Sequence, residues 1–200
     1  MFGWLFKKEE IKEEEIRNIV FDILDILKRL SEAFVIGAIS SLKTYSPELK
    51  NKNWKFETLN DSPELECALL AFQVKCVCSF FIRHKINVAK PEGLNKMFLI
   101  QQSLLKIKHS RESAETKMIM KYSNKYSNEE DGAKRKNLVT DDVIKLMKFP
   151  EISEPERLRR AMLMTVKSME AQVYMELANY FDDRKLADQY MLKAGKGLDI

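Results

Sequence analysis

The stretch CALLAFQVKCVCSFFI, residues 67–82, decides the fold class of this chain. Its only polar members are Gln73, Lys75 and Ser79, so a helix built from it is apolar on nearly every side. A helix of that kind belongs in the middle of a helical bundle. Because the run has 16 residues and includes three polar side chains, we expect it to be too short and too polar to span a bilayer.

The residues immediately before this stretch, SPEL at 62–65, predict where the central helix begins. The Ser62 hydroxyl can accept hydrogen bonds from first-turn amides, and Pro63 stands where no amide partner is lost. Glu64 places a negative charge at the positive end of the helix dipole. We therefore predict a helix over residues 63–86. The same tetrapeptide at 46–49 predicts a second, shorter helical turn.

Residues that form turns are scarce along the whole chain, with Gly 6 and Pro 5 in 200 residues. Apolar residues recur at steps of three and four in most of the remaining sequence, which is typical of amphipathic helices. Further helices are predicted over residues 10–44, 94–108, 112–122, 140–149, 153–181 and 186–194. The fold class is therefore predicted as all-α, a single domain over residues 1–200 built as a bundle of about five to seven helices.

Local signals predict some of the boundaries between these helices. Thr140 is predicted to cap a short helix, and the residues SEPE at 153–156 read as a capping box. Apolar residues almost vanish between residues 123 and 137, so we expect an exposed mobile loop or linker there.

Positive charge is concentrated in residues 67–111, which contain eight lysines and arginines against the single acid Glu92, a net charge of +7. The charges form two clusters, each at the end of a predicted helix, where cations complement the helix dipole. In the alternative interpretation, the clusters bind phosphates or an acidic partner. The residues concerned are Arg83, His84 and Lys85 in the first cluster and Lys106, Lys108, His109 and Arg111 in the second.

The N-terminal segment is apolar and aromatic before a pair of lysines. It is too short for the core of a signal peptide. Phe2, Trp4, Leu5 and Phe6 could instead contact a membrane surface. Three cysteines in a chain of this length favour a reducing compartment, and we expect a cytoplasmic protein.

No motif in the sequence points to catalysis. Phosphate-binding glycine loops and nucleophile elbows are absent from the sequence. Cys76 and Cys78 lie on opposite sides of the predicted helix, so the cysteines are interpreted as buried core residues rather than metal ligands. We expect no cofactor, metal or small-molecule ligand, and an enzyme is the least supported class.

The leading hypothesis is a non-catalytic helical interaction module: an accessory, adaptor or regulatory protein that acts through protein–protein contacts. Ala33, Gly37 and Ser40 form a small-residue side of the first helix that could mediate self-association. One alternative is a nucleic-acid-associated factor that uses the basic 67–111 segment. Another is a peripheral membrane protein that uses Phe2, Trp4, Leu5 and Phe6.

Overall fold

The computed structural model describes residues 13–45, 62–84, 114–149 and 153–196. These residues form six α-helices and no strand, which confirms the all-α bundle. The predicted helix at 94–108 and the predicted turn at 46–49 lie outside the described residues. The helices are α1 (Glu13–Tyr45), α2 (Pro63–Arg83), α3 (Ala114–Ser127), α4 (Gly132–Leu146), α5 (Pro155–Tyr180) and α6 (Arg184–Lys196).

Helix α2 lies at the centre of the bundle, as its composition predicts. Ser62 accepts a hydrogen bond from the Leu65 amide at 3.3 Å, and Pro63 is the first helical residue. Most of its side chains are buried, on nearly every side of the helix, including the fully enclosed Leu65 and Phe80. The helix packs against α1, α3, α4 and α5. Burial of this apolar surface is the main favourable contribution to folding.

The expectation that the central stretch is too short for a bilayer was wrong. Capping at Ser62 extends the helix to 21 residues, and α2 is long and apolar enough to cross a membrane by length and composition. However, 78% of its most apolar window is buried inside the protein. The core helix of a soluble protein passes the same test, so this is weak evidence for a membrane span.

Helices α5 and α6 form a hairpin around a tight turn at residues 181–183. Asp182 adopts a left-handed backbone conformation with φ 57°, which aspartate tolerates better than most residues. The Asp183 amide donates to the Ala178 carbonyl at 2.8 Å, and its carboxylate accepts from the Leu186 amide at 3.1 Å. The second contact caps α6. The bundle is completed by α1 and α4, which both pack along α5.

The prediction of a mobile loop over residues 123–137 was wrong for most of its length. Helix α3 continues to Ser127 and α4 begins at Gly132, so only residues 128–131 lie between them. Asp131 caps α4 by accepting hydrogen bonds from two first-turn amides at 2.8 and 3.1 Å. The Arg135 guanidinium donates to the carbonyls of Tyr126 and Glu129 and so supplies hydrogen-bond donors that the carbonyls at the end of α3 lack within their own helix.

Two predicted caps also differ from the structure. Thr140 lies inside α4, and its hydroxyl donates to the Lys136 carbonyl one turn earlier at 2.8 Å. Asp131 is the residue that caps this helix. Helix α5 does begin at Pro155, but the capping residue is Glu154, whose side chain makes no capping hydrogen bond.

Candidate functional site

The first predicted basic cluster lies where α2 ends, among aromatic side chains from α5 and α6. Arg83 is the last residue of α2, and His84 follows as its C-cap. The His84 Nε2 atom lies 2.8 Å from the Tyr190 Oη atom on α6. The imidazole ring also packs on Phe80, with 4.6 Å between the ring centroids. His84 is thus part of the packing between helices.

Arg83 lies next to the same aromatic side chains while its own side chain is exposed. The guanidinium carbon lies 5.9 Å from the centroid of the Tyr174 ring on α5, within the range of a cation–π contact. The Arg83 charge also lowers the pKa of Tyr190, against the larger and opposite effect of burial. From the other side, Lys193 approaches the Tyr190 ring at 5.9 Å.

The environment of this cluster favours the uncharged forms of His84 and Tyr190. Burial lowers the pKa of His84 below its ordinary value of 6.5, and the neighbouring Arg83 charge lowers it further, against an opposing effect of Asp183. Burial raises the pKa of Tyr190. A neutral imidazole hydrogen-bonded to a neutral phenol stabilises the contact between α2 and α6. Nothing in that pairing activates a nucleophile.

The predicted anion-binding residues are only partly described by the structure. Arg83 and His84 lie side by side at the end of α2, with Arg83 in the last turn, where a cation complements the helix dipole. Sequence reasoning missed their partners Tyr174 and Tyr190, because the contacts join distant parts of the chain. The remaining predicted residues lie outside the described residues: Lys85, Lys106, Lys108, His109 and Arg111, and the membrane-contact residues Phe2, Trp4, Leu5 and Phe6.

A second cluster, which the sequence reasoning did not find, holds α3 to both of its neighbours. Tyr122 donates a hydrogen bond of 2.8 Å to Glu64 at the start of α2, and Lys121 donates to the same carboxylate at 3.0 Å. One helical turn later, Tyr126 and Lys125 donate to Asp142 on α4. The signal was a direct tandem repeat, KYSN at 121–124 and again at 125–128.

The protonation states in this second cluster follow from its hydrogen bonds. The Tyr122 and Lys121 hydrogen bonds lower the pKa of Glu64. Burial, with the nearby carboxylates, raises the pKa values of Tyr122 and Tyr126. Each carboxylate therefore accepts from one neutral phenol and one ammonium group. Such charge-assisted hydrogen bonds are stronger than neutral ones.

The basic triplet at 134–136 does not form a charged surface. Lys134 is exposed, whereas the Arg135 guanidinium donates hydrogen bonds to backbone carbonyls at the end of α3. Lys136 is almost completely buried and lies 2.7 Å from Glu170 on α5. Within this triplet, Lys134 thus faces solvent, Arg135 binds the end of α3 and Lys136 forms a buried ion pair.

The three cysteines are buried core residues, which confirms their interpretation from the sequence. Cys67, Cys76 and Cys78 are 4%, 2% and 7% exposed. Burial raises the pKa of Cys76 and raises the pKa of Cys78 to about 11, so both remain thiols near neutral pH. Across the described ranges, no group of three or more His, Cys, Asp and Glu side chains could hold a metal ion.

The outward side of α1 carries a short uncharged surface. We call Ala33, Ile36, Gly37 and Ser40 the α1 strip; all four are exposed, and Ile36 is 67% exposed. A Cβ atom added to Gly37 would meet no atom within 4 Å outside its own helix backbone. The small-residue side proposed from sequence therefore faces outward.

No protein-family model, curated protein or solved structure matches this chain.

Proposed function

We propose that this protein is a non-catalytic helical interaction module that self-associates through the α1 strip. The exposed Ile36 side chain supports the proposal, because its burial against a second copy would remove a large apolar surface from water. Ala33 and Gly37 stand one helical turn apart beside it. Residues of this size allow another helix to approach closely.

The charged side chains form ion pairs between helices, which favours an interaction module over an enzyme. Lys121 pairs with Glu64 across α3 and α2, and Lys125 pairs with Asp142 across α3 and α4. Arg159 on α5 donates to Asp141 on α4 at 2.7 Å. Each pair joins two helices of the bundle. Catalysis needs titratable groups that converge on a space where a substrate can bind, and these groups instead converge on one another.

The dimensions of the α1 strip indicate a weak association. Residues 33 and 40 are seven steps apart, a length of about 10 Å along the helix, so an interface limited to this strip belongs to the small, transient class. Experiments should therefore extend to high protein concentration. Charged residues before the strip, including Lys28 and Arg29, would lie at the edge of the contact.

Sedimentation equilibrium of the full chain over a range of concentrations tests this proposal. We expect the wild-type mass to rise with concentration, and Ile36→Lys and Gly37→Glu to sediment as monomers. Ile82→Lys is the matched control, because Ile82 is 54% exposed on α2 and lies outside the strip. A wild-type monomer at every concentration, or equal weakening by Ile82→Lys, would contradict the proposal.

The two alternative functions remain proposals with direct tests. Nucleic-acid association through residues 67–111 is supported in the described residues by the exposed Arg83. Salt-dependent retention on heparin or DNA tests it. Peripheral membrane association through Phe2, Trp4, Leu5 and Phe6 is tested by liposome flotation with and without residues 1–8.

A further inference from the structure

We propose that His84 and Tyr190 form an acid-sensitive latch that holds α6 against the end of α2. Among the described helices, α5 is the one whose backbone lies close to α6. The connection from α6 to the central helix therefore depends on side chains. Tyr190 supplies it by a 2.8 Å hydrogen bond to His84 and by ring contact with Phe80.

The direction of this hydrogen bond follows from the third member of the cluster. A guanidinium group can only donate, so the nearby Arg83 charge favours the orientation in which the Tyr190 oxygen, not its hydrogen, faces it. The Tyr190 hydroxyl can then donate its own hydrogen to the unprotonated Nε2 atom of neutral His84. We assign the proton of the neutral ring to Nδ1 from this network.

A second proton on the imidazole reverses one end of this arrangement. Protonated Nε2 becomes a donor, so the Tyr190 oxygen must then accept from it. The hydroxyl hydrogen of Tyr190 loses the acceptor it has among the described residues. Since Tyr190 is only 4% exposed, this leaves a poorly solvated donor, which is costly in a folded protein.

Among the charges around the latch, Arg83 disfavours a protonated His84 and Asp183 favours it. A protonated His84 would stand beside Arg83 on α2 and near Asp183 in the turn, while Glu170 on α5 acts on Tyr190. The pKa of His84 is lowered in the folded protein by burial and by Arg83. A lowered pKa means that the released state binds the proton more readily. The latch therefore weakens as the pH falls through the ordinary histidine range near 6.5.

Release of α6 would change the surface at this end of the bundle. Ala187 and Tyr190, both 4% exposed, face the bundle from α6. The departure of α6 would uncover Phe80 and Tyr174, whose rings are in contact with that of Tyr190. Mild acid would thus expose an aromatic surface on α2 and α5 while the central helix stays folded.

Hydrogen exchange of the full chain, measured by mass spectrometry at about pH 7.5 and 5.5, tests the latch across the histidine titration. Protection factors corrected for intrinsic exchange rates are compared for residues 184–196. We expect these amides to lose about tenfold in protection at the lower pH, which corresponds to about 1.4 kcal/mol. Amides of α2 should keep their protection.

Two variants distinguish release of the His84–Tyr190 latch from a general loss of stability of the fold in acid. In His84→Gln the amide oxygen can accept from Tyr190 but does not titrate, so α6 should exchange equally at both pH values. In Tyr190→Phe the hydrogen bond is absent, so α6 should exchange faster at both pH values, and its further loss in acid should be smaller than in the wild type. Unchanged wild-type protection at the lower pH would overturn the proposal. An acid-induced loss in His84→Gln as large as in the wild type would also overturn it.

Discussion

Tyr126 on α3 donates a hydrogen bond of 2.9 Å to the Asp142 carboxylate on α4, and its ring is fully buried. One helical turn earlier, Tyr122 makes the same contact with Glu64 on α2. The four-residue repeat KYSN therefore produces two equivalent contacts. Four residues advance a helix by slightly more than one turn, so the two tyrosines lie near each other on one side of α3. These contacts fasten α3 to two different helices.

Removing the Tyr126 hydroxyl should destabilise the fold more than removing the Tyr122 hydroxyl. The Asp142 side chain is 13% exposed and that of Glu64 is 38% exposed, so water can replace the lost donor more readily at Glu64. We expect Tyr126→Phe to lower the free energy of unfolding by about 1.5–3 kcal/mol and Tyr122→Phe by about 1 kcal/mol. Urea denaturation of both variants measures the difference. The reverse order would contradict this account.

The buried pair of Lys136 and Glu170 should tolerate joint replacement better than single replacement. Their side chains are 5% and 13% exposed, so removal of one partner leaves a charge in an apolar environment. We expect Lys136→Met or Glu170→Leu alone to cost about 3–5 kcal/mol in unfolding free energy. The double variant should recover most of that loss. A strictly additive double variant would show that the two groups do not depend on each other.

Glu64 should contribute to stability near neutral pH and lose that contribution in acid. Its pKa in the folded protein is lowered from the ordinary value of 4.5, so the unfolded chain binds the proton more readily. The contribution is thus present above pH 4.5 and is lost as the pH falls through the lowered value. Urea titrations across this range should show a shallower acid loss for Glu64→Gln than for the wild type. If the unfolding free energies of the two proteins fell equally with pH, groups other than Glu64 would be responsible for the loss of stability in acid.

The central helix was predictable because the residues that determine its start and its burial are neighbours in the sequence. Residues 67–82 are apolar almost throughout, and the Ser62–Pro63 start is encoded immediately before them. Burial and capping both follow from neighbouring residues. The sequence therefore predicted the position of α2 and the core role of the cysteines.

The region of α3 and α4 was harder to predict because its stabilising contacts are tertiary. Residues 123–137 are polar in composition, yet Tyr126 and Lys136 are buried there by partners on other helices. Arg135 caps α3 from the following helix, which composition does not reveal. The Tyr190 partner of His84 comes from 106 residues away, so no local pattern indicates it.

The distance between two labels on α1 tests the proposed self-association most directly. Lys28→Cys can be spin-labelled selectively, because Lys28 is exposed and the native cysteines are at most 7% exposed. Residue 28 lies about 12 Å along α1 from Ile36, so two copies joined at the strip place their labels within about 40 Å in either orientation. We predict a dipolar coupling in this range that disappears in the Gly37→Glu background. The absence of any coupling at high concentration, or its persistence in Gly37→Glu, would contradict the account.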